Sequence, residues 1–438
     1  MNYLWLPPAN WFTDDCTVEG VRRAIQFLTE RGTFDFPTLE NGLFSAAAST
    51  SEDFATTGYQ HVWVRDNVQI AYAHWEIGEK AVAVRTAESL MKFYVTHHPR
   101  WQKSVTGETD PQHVMHRPHI RFDGRQMLEL EETWSHAQND ALGYFVWFYC
   151  RLVSEGLIHP GPAEWAVLSD IAHFWQLVRF WEDEDSGHWE EHRKINASSI
   201  GPATAGLKEF RQLIESTKNQ ATLNSVVRPV SAAQLDKLIA QGTAALESIL
   251  PFETAQNDPA KRREVDAALL FLIDPLDIVP RATADLILSN VIGQLLGPHG
   301  IRRYRGDSYW CANYKQLLAA DQRTSDFSDD MSSRDRLLQP GQEAQWCIFD
   351  PIVSSLYGRR FQQTGERSAL SQQLFHLRRS LAQMTGRNSP LPFRCPESYY
   401  LENSVYVPND LTPLLWTQAN LRRALHSLEK SAALCDAK

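Results

Sequence analysis

Two glutamates of this sequence lie beside aromatic residues, in an arrangement that suits chemistry on a sugar. Glu190 follows Trp189 and precedes the small polar run Asn196–Ser199. Glu397 lies far downstream, next to Tyr399 and Tyr400. Glycoside hydrolysis needs one carboxyl group held protonated, to donate to the leaving oxygen, and one ionised, to activate water or attack carbon. The two glutamates are therefore candidates for this acid and base. The alternative for Glu190 is solvated surface, since adjacent glutamates such as Glu190 and Glu191 usually lie there.

A second candidate group is the Arg65–Asp66 pair, which follows Tyr59 and Trp63. If buried, the pair offers a fork of donors and two acceptor oxygens, which suits adjacent sugar hydroxyls. The alternative is a cap or a structural salt bridge at a helix start.

Two more segments combine aromatic and hydrogen-bonding side chains. Trp134 precedes Gln138 and Asp140 at a predicted helix start, and Arg303 lies in a basic run with Tyr304. Both could contact a sugar, and the basic run could instead pair with an acid of the site. The alternative for the basic run is a solvated loop.

The sequence gives weak support for a metal site and none for a cofactor. His113, His116 and His119 are closely spaced, but Pro118 breaks helical geometry and no cysteine or carboxylate completes a tetrahedral set. The polar stretch 320–341 is acidic and is more typical of a solvated loop than of a metal-binding one. No glycine-rich phosphate loop is present either.

Composition limits the classes of partner. The 438 residues carry a net charge of −10, which argues against nucleic acid or an anionic membrane surface and is neutral towards sugars. No run of about 18 apolar residues predicts a membrane span. The first twelve residues lack a secretory pattern, and the six cysteines have no paired spacing. We therefore expect a cytoplasmic protein with free thiols.

Apolar residues recur mainly at spacings of three and four, which predicts helices. The twelve predicted helices cover residues 17–31, 64–78, 80–97, 134–154, 162–181, 197–215, 231–249, 261–273, 280–297, 342–362, 366–384 and 411–429. Twelve helices without strand signals favour an all-α (α/α)6 toroid, with residues 1–438 as one domain. A helical-repeat solenoid is the alternative, but no period of 34 to 47 residues recurs.

The order of these motifs resembles glycoside hydrolase family 15, which contains the glucoamylases. The resemblance is carried by the segments Tyr59–Asp66, Trp134–Asp140, Trp189–Ser199, Arg302–Arg305 and Pro396–Tyr400. The glucoamylase-like domain of phosphorylase kinase α and β subunits is most similar, through His61–Val68, Asn196–Ser199, Glu264–Leu270 and Pro396–Tyr400. The matches run from about residue 20 to 430.

The resemblance implies an inverting, exo-acting α-glucoside hydrolase that needs no cofactor and acts on an α-glucan or oligosaccharide. Glu190 would be the general acid, Glu397 the general base, and Glu191 a substrate contact. The remaining substrate-binding residues would be Tyr59, Trp63, Arg65, Asp66, Trp134 and Arg303. A non-catalytic, glucan-binding regulatory protein is the alternative. α-1,4-Glucan, isomalto-oligosaccharide and trehalose all remain open as substrates.

Overall fold

The structure is a computed structural model that describes residues 16–48, 54, 57–319, 322–323 and 326–436. The N-terminal stretch tested for a secretory pattern, and residues 320, 321, 324 and 325 of the polar stretch, lie outside the described residues. Sixteen α-helices occur in the described part: α1 (Val18–Glu30), α2 (Val64–Glu76), α3 (Lys80–Thr96), α4 (His98–Val105), α5 (Asn139–Ser154), α6 (Pro162–Val178), α7 (Ala197–Leu213), α8 (Thr217–Leu223), α9 (Ala232–Ile249), α10 (Leu270–Ile273), α11 (Arg281–Leu295), α12 (Tyr314–Leu317), α13 (Ser332–Asp335), α14 (Phe349–Thr364), α15 (Arg367–Ala382) and α16 (Leu415–Asp436).

The longer helices form two concentric rings. The inner ring consists of α2, α5, α7, α10 with the 3-10 turn Ala267–Leu269 before it, α14 and α16. Each inner element packs against the next, and α16 packs against α2, so the ring closes. The outer ring consists of α1, α3, α6, α9, α11 and α15, which alternate with the inner elements along the chain. This arrangement is the predicted (α/α)6 toroid.

Inner and outer helices differ in how much of their surface is buried. In α5, every residue from Asn139 to Cys150 is buried, as expected for a helix enclosed on all sides. In α1, by contrast, the buried residues Val21, Ala24 and Leu28 recur at spacings of three and four, so only one face is covered. The inner helices therefore form the core of the protein, and the outer helices cover it with one face each.

Small residues allow α5 and α7 to approach closely. A Cβ atom at Gly143 would lie 2.3 Å from the backbone nitrogen of Ala203, so any larger residue there would push the two helices apart. This contact fixes α7, and with it the loop that leads into α7.

Two small antiparallel sheets were not predicted. One contains β1 (Val62–Trp63), β2 (Arg121–Asp123) and β3 (Leu128–Glu129), and the other β4 (Gln345–Trp346), β5 (Ser398–Glu402) and β6 (Val405–Pro408). Trp346 pairs with Ser398, and the Cys347 amide donates to the Glu397 carbonyl at 2.9 Å. The second sheet thus places the Glu397 loop beside the start of α14.

Four of the predicted helices need correction. Residues 134–138 form a loop, and α5 begins only at Asn139. The predicted helix 411–429 begins at Leu415 and continues to Asp436. The predicted helix 261–273 is mainly loop, followed by the 3-10 turn and the short α10. The predicted helix 342–362 begins at Phe349, after β4. The short helices α4, α8, α12 and α13 were not predicted. Among the described residues, no helix is long and apolar enough to cross a membrane.

Candidate active site

A pocket opens at the N-terminal ends of the inner helices. It includes about 710 Å³ of space, part of it open to solvent. Its walls come from distant parts of the chain because each inner helix brings the loop before it to the same end of the ring. The lining residues are Ala46, Tyr59, Trp63, Arg65, Asp66, Trp134, His188, Trp189, Glu190, Arg303, Tyr309, Arg323, Arg334, Trp346, Glu397, Leu414 and Trp416.

All but one of the predicted site residues line this pocket. Tyr59, Trp63, Arg65, Asp66, Trp134, Glu190, Arg303 and Glu397 are among them. Glu191 is the exception. The pocket brings the two candidate acids into one cavity, with aromatic rings on several walls.

Glu190 lies on a tightly held loop before α7. Its backbone is left-handed, with φ of +52°, a conformation that costs energy for a residue other than glycine. The Asn196 side-chain amide donates to the Asp185 carbonyl (3.0 Å), to its Oδ1 (2.8 Å) and to the Lys194 carbonyl (3.0 Å). These bonds close the base of the loop 185–194 and hold Glu190 at its tip.

The Glu190 carboxyl is largely enclosed, with 18% of its side chain exposed. Arg65 donates from Nη2 to its Oε1 at 2.5 Å. Burial raises the pKa of Glu190 to about 7, against the lowering effect of the Arg65 charge. A carboxyl group in this state holds a proton that it can give up near neutral pH.

Arg65 and Asp66 form no ion pair with each other, and the predicted contact of Arg65 with sugar hydroxyls stays a prediction. Arg65 donates from Nη1 to Asp140 (2.7 Å) and Gln138 (3.0 Å), besides its bond to Glu190. Asp66 has no side-chain hydrogen-bond partner among the described residues, and it lines the pocket. Burial raises the pKa of Asp66 to about 6, and the neighbouring Arg65 charge opposes this rise.

Glu397 is 2% exposed and lies just before β5. Tyr59 donates its hydroxyl proton to Oε1 at 2.6 Å, and the Asn409 amide donates to Oε2 at 2.5 Å. Burial raises the pKa of Glu397 to about 7, although both hydrogen bonds act in the opposite direction. The Tyr309 hydroxyl lies 3.1 Å from that of Tyr59 and extends this chain of polar groups.

Aromatic rings fix the other walls. Trp63 and Trp134 meet edge to face at 5.4 Å, and the Arg121 guanidinium lies 3.7 Å from the Trp134 ring centroid. The Arg303 guanidinium lies 4.8 to 5.0 Å from three rings, those of Trp189, Tyr309 and Trp346. Both tryptophan walls are therefore rigid surfaces on which a sugar ring could pack.

Glu191 faces away from the pocket and is 1% exposed. Its oxygens accept hydrogen bonds from Arg263 (3.0 Å), Arg303 (3.3 Å), Arg334 (2.7 Å) and the Tyr304 hydroxyl (2.6 Å). Burial alone would raise the pKa of Glu191, but the three guanidinium charges hold it well below its usual range. In this structure Glu191 binds arginines of the pocket wall, and its predicted contact with substrate stays a prediction.

The chain matches the family model described as Glycosyl hydrolases family 15 over residues 34–326. The chain belongs to glycosyl hydrolase family 15.

Two curated relatives are the probable phosphorylase b kinase regulatory subunit alpha of Caenorhabditis elegans and the skeletal muscle isoform of that subunit from Oryctolagus cuniculus. The first is 25% identical over 280 residues, covering 57% of this chain and 21% of that protein. The second is 24% identical over 289 residues, covering 58% and 22%. The chain spans about a fifth of the length of these curated relatives.

Solved structures share the fold of this family 15 chain. A glycosidase variant in complex with glucose superposes with a TM-score of 0.63 at 16% identity, covering 94% of this chain and 96% of that one. Glucoamylase from Saccharomycopsis fibuligera gives a TM-score of 0.60 at 12% identity, covering 97% and 98%. At these identities the likeness establishes the toroid of glycosidases and no further detail.

Several residues of this family 15 site were not predicted: Tyr309, Arg334 and Trp346, which line the pocket, and Asn409, which donates to Glu397. For Tyr309 and Trp346 the only signal in the sequence was the high aromatic content, which does not separate a site residue from a core one, and Arg334 and Asn409 had no signal. Among the described residues, no group of three or more His, Cys, Asp or Glu side chains could hold a metal ion. His119 instead stacks on His136 with ring centroids 3.8 Å apart, and His113 lies against His116.

Proposed function

We propose that this protein is an inverting, exo-acting α-glucoside hydrolase, with Glu190 as general acid and Glu397 as general base. The observation that carries the proposal is that two largely enclosed carboxyl groups, those of Glu190 and Glu397, line one pocket in different hydrogen-bonding environments. A single arginine holds one oxygen of Glu190, whereas neutral donors hold both oxygens of Glu397.

Glu190 suits the acid because burial keeps its proton available at neutral pH. Arg65 fixes Oε1, so Oε2 is the oxygen left to donate to the glycosidic oxygen as the bond to carbon breaks. Without that proton, the departing oxygen would leave as an unfavourable alkoxide.

Glu397 suits the base because Tyr59 and Asn409 donate to its two oxygens and thereby favour the ionised form. Each oxygen keeps a lone pair that can accept a proton from water. That water attacks the anomeric carbon from the face opposite the departing oxygen, and the product is β-glucose. The mechanism requires carboxyl groups about 6.5–9.5 Å apart, with room for the water.

The terminal sugar is held by the remaining lining residues. Asp66 has acceptor oxygens with no side-chain partner among the described residues, which suits two neighbouring hydroxyl groups. Trp63 and Trp134 offer ring surfaces, and Arg303 offers donors next to them. No step of this mechanism needs a cofactor. The complex of a structurally similar glycosidase with glucose supports a sugar as the ligand.

A second candidate is a glucan-binding regulatory protein without hydrolytic activity. The names of the curated relatives favour it, since both are regulatory subunits of phosphorylase b kinase. The two carboxyl groups alone do not separate the candidates, because a binding protein can also retain them.

The deciding experiment incubates the purified protein with maltose, isomaltose, maltoheptaose and trehalose and measures released glucose. Proton NMR at early times then identifies the anomer. Glucose that first appears as the β-anomer supports the proposal, and the preferred substrate shows the linkage. An initial α-anomer would mean retention and would overturn the inverting mechanism. Binding of maltoheptaose without release of glucose from any substrate favours the regulatory candidate.

A further inference from the structure

Arg334 brings a guanidinium group into the pocket from a surface segment. It lies on α13, and its neighbours Asp335 and Arg336 are exposed, whereas Arg334 is 4% exposed. The side chain therefore points inwards from an otherwise exposed stretch and lines the pocket. Residues 327–341 lie outside the part of the chain that matches the family model.

The orientation of this guanidinium is fixed from behind. Nη2 donates to Glu191 at 2.7 Å, and Nε donates to the Ser308 hydroxyl at 3.0 Å. Ser308 in turn donates to Asp335 at 2.6 Å. The third nitrogen, Nη1, has no hydrogen-bond partner among the described residues. Two nitrogens thus anchor the side chain, and one is available to a molecule in the pocket.

Arg303 is held in the same way. Its Nε and Nη2 bind Asp307, both at 2.6 Å, and Nη1 has no partner in the part of the chain that the structure describes. Both arginines also donate to Glu191, so this one buried carboxylate aligns two guanidinium groups along the pocket wall. Glu191 itself is covered by them.

We propose that Arg334, aligned by Glu191, binds the hydroxyl groups of the departing sugar and makes the enzyme selective for substrates whose departing group is itself a sugar. The inference rests on the proposed function. In exo-acting hydrolysis the terminal sugar lies deepest and the departing part extends towards the mouth of the pocket. Arg334 enters from the surface and therefore meets the departing part. A fixed guanidinium donates to hydroxyl oxygens, which an unsubstituted aryl group lacks.

The test compares Arg334→Gln with wild type on maltose and on phenyl α-glucoside, whose departing group has no hydroxyl beyond the bond that breaks. We expect kcat/KM for maltose to fall about 10–100-fold, the usual size of a hydrogen bond to a charged group, mainly through KM. The aryl glucoside should change less than about threefold. Arg334→Lys keeps the charge but loses the fork, and should retain the aryl activity with an intermediate loss on maltose. The control is Arg336→Gln, on the same segment but exposed, which should behave as wild type.

Equal losses on both substrates would show that Arg334 only supports the fold of the site, and no loss on either would show that it does not contact substrate. Either result overturns the inference while leaving the proposed function in place. If Arg334→Gln does not fold, the same comparison with Arg334→Lys decides. A wild type that hydrolyses neither substrate would overturn the proposed function, and this inference with it.

Discussion

Arg65 donates to Glu190 at 2.5 Å, so the guanidinium predicted to grip a sugar is bound to the candidate acid. Its Nη1 binds Asp140 and Gln138, whereas the neighbouring Asp66 lines the pocket. The acid is consequently oriented by a residue of α2, while its own backbone belongs to the loop before α7. The protonation of Glu190 depends on packing between two inner helices as well as on its own loop.

The first prediction concerns the pH dependence of the wild type. The pKa values of Glu190 and Glu397 are both raised to about 7 by burial. Activity needs Glu190 protonated and Glu397 ionised, so it should fall in acid as Glu397 gains a proton and in alkali as Glu190 loses one. We expect a bell-shaped profile of kcat/KM against pH, centred near pH 7, whose two limbs belong to the pair of acids. A profile flat from pH 5 to 9 would contradict these roles.

Removing the Tyr59 hydroxyl should move that profile. Tyr59→Phe deletes a hydrogen bond that favours ionised Glu397, so the pKa of Glu397 rises. The optimum lies midway between the two pKa values and should therefore move to higher pH, while the maximum falls because less enzyme has the correct protonation. Tyr399→Phe is a matched control. It loses a buried hydroxyl bound to the Gln383 carbonyl, and the optimum should not move.

The two acids should respond differently to the departing group. Glu190→Gln and Glu397→Gln should each lower hydrolysis of maltose by about 10²–10⁴-fold, the usual contribution of acid–base catalysis. α-Glucosyl fluoride departs without a proton, so it should restore turnover to Glu190→Gln and not to Glu397→Gln. Glu131→Gln, an exposed change in a loop, is the control. Rescue of both variants, or of neither, would contradict the assignment of acid and base.

The sequence predicts well those helices whose apolar pattern lies within the helix itself, and poorly those segments that depend on distant contacts. Helices such as α1 carry their apolar spacing within the helix itself, so their bounds were predicted to within two residues. Residues 134–138 include the polar side chains of Ser135, His136 and Gln138, which are buried in the folded chain, and this tertiary burial has no local signal in the sequence. The strand Gln345–Trp346 is two residues long and exists through its partner Ser398, more than fifty residues away.

Dependence on distant contacts also explains which residues of the site were not predicted. Glu190 and Glu397 could be named as candidate acid and base because each lies in a distinctive local motif. The contacts of Arg334 with Glu191 and of Asn409 with Glu397 join residues whose neighbours in sequence give no hint of the partner. Similarly, Glu191 was predicted to contact substrate from its place beside the acid, but its surroundings are set by three arginines from three other segments.

Asn196 should act on catalysis through the position of Glu190. Its amide closes the loop 185–194, and Asn196→Ala removes all three bonds to Asp185 and Lys194. A displacement of about 1 Å at a catalytic group can cost about 100-fold in rate, so we expect kcat on maltose to fall about 10–100-fold. KM should change little, since Asp66, Trp63 and Trp134 lie outside this loop. Asn219→Ala, which loses a bond to the Leu213 carbonyl at the far end of α7, is the control. An increase in KM with unchanged kcat would contradict a positioning role.

The last prediction concerns stability at the end of the ring opposite the pocket. Asp274 follows α10, is fully buried, and accepts hydrogen bonds from Arg359 of α14 and Arg423 of α16, the second at 2.6 Å. Arg423 also binds Glu76, the last residue of α2, so four inner elements are joined there. Asp274→Asn removes the carboxylate that Arg359 and the buried Arg423 share, while Arg423 keeps Glu76, and should lower the free energy of unfolding by about 1.5–3 kcal/mol.

Asp285→Asn is the matched control, because Asp285 pairs with Arg360 on a more exposed face, where such pairs contribute about 0–1 kcal/mol. Urea unfolding of both variants and wild type measures the difference in the free energy of unfolding.

The contribution of Asp274 should also depend on pH. Burial alone would raise the pKa of Asp274, but Arg423 and Arg359 hold it below its usual value. The stabilisation is therefore present above the unfolded pKa of about 4 and is lost as pH falls through the lower folded pKa. The gap between wild type and Asp274→Asn should narrow in acid, and a gap that widens there, or equal losses for the two variants at pH 7, would contradict the role of Asp274.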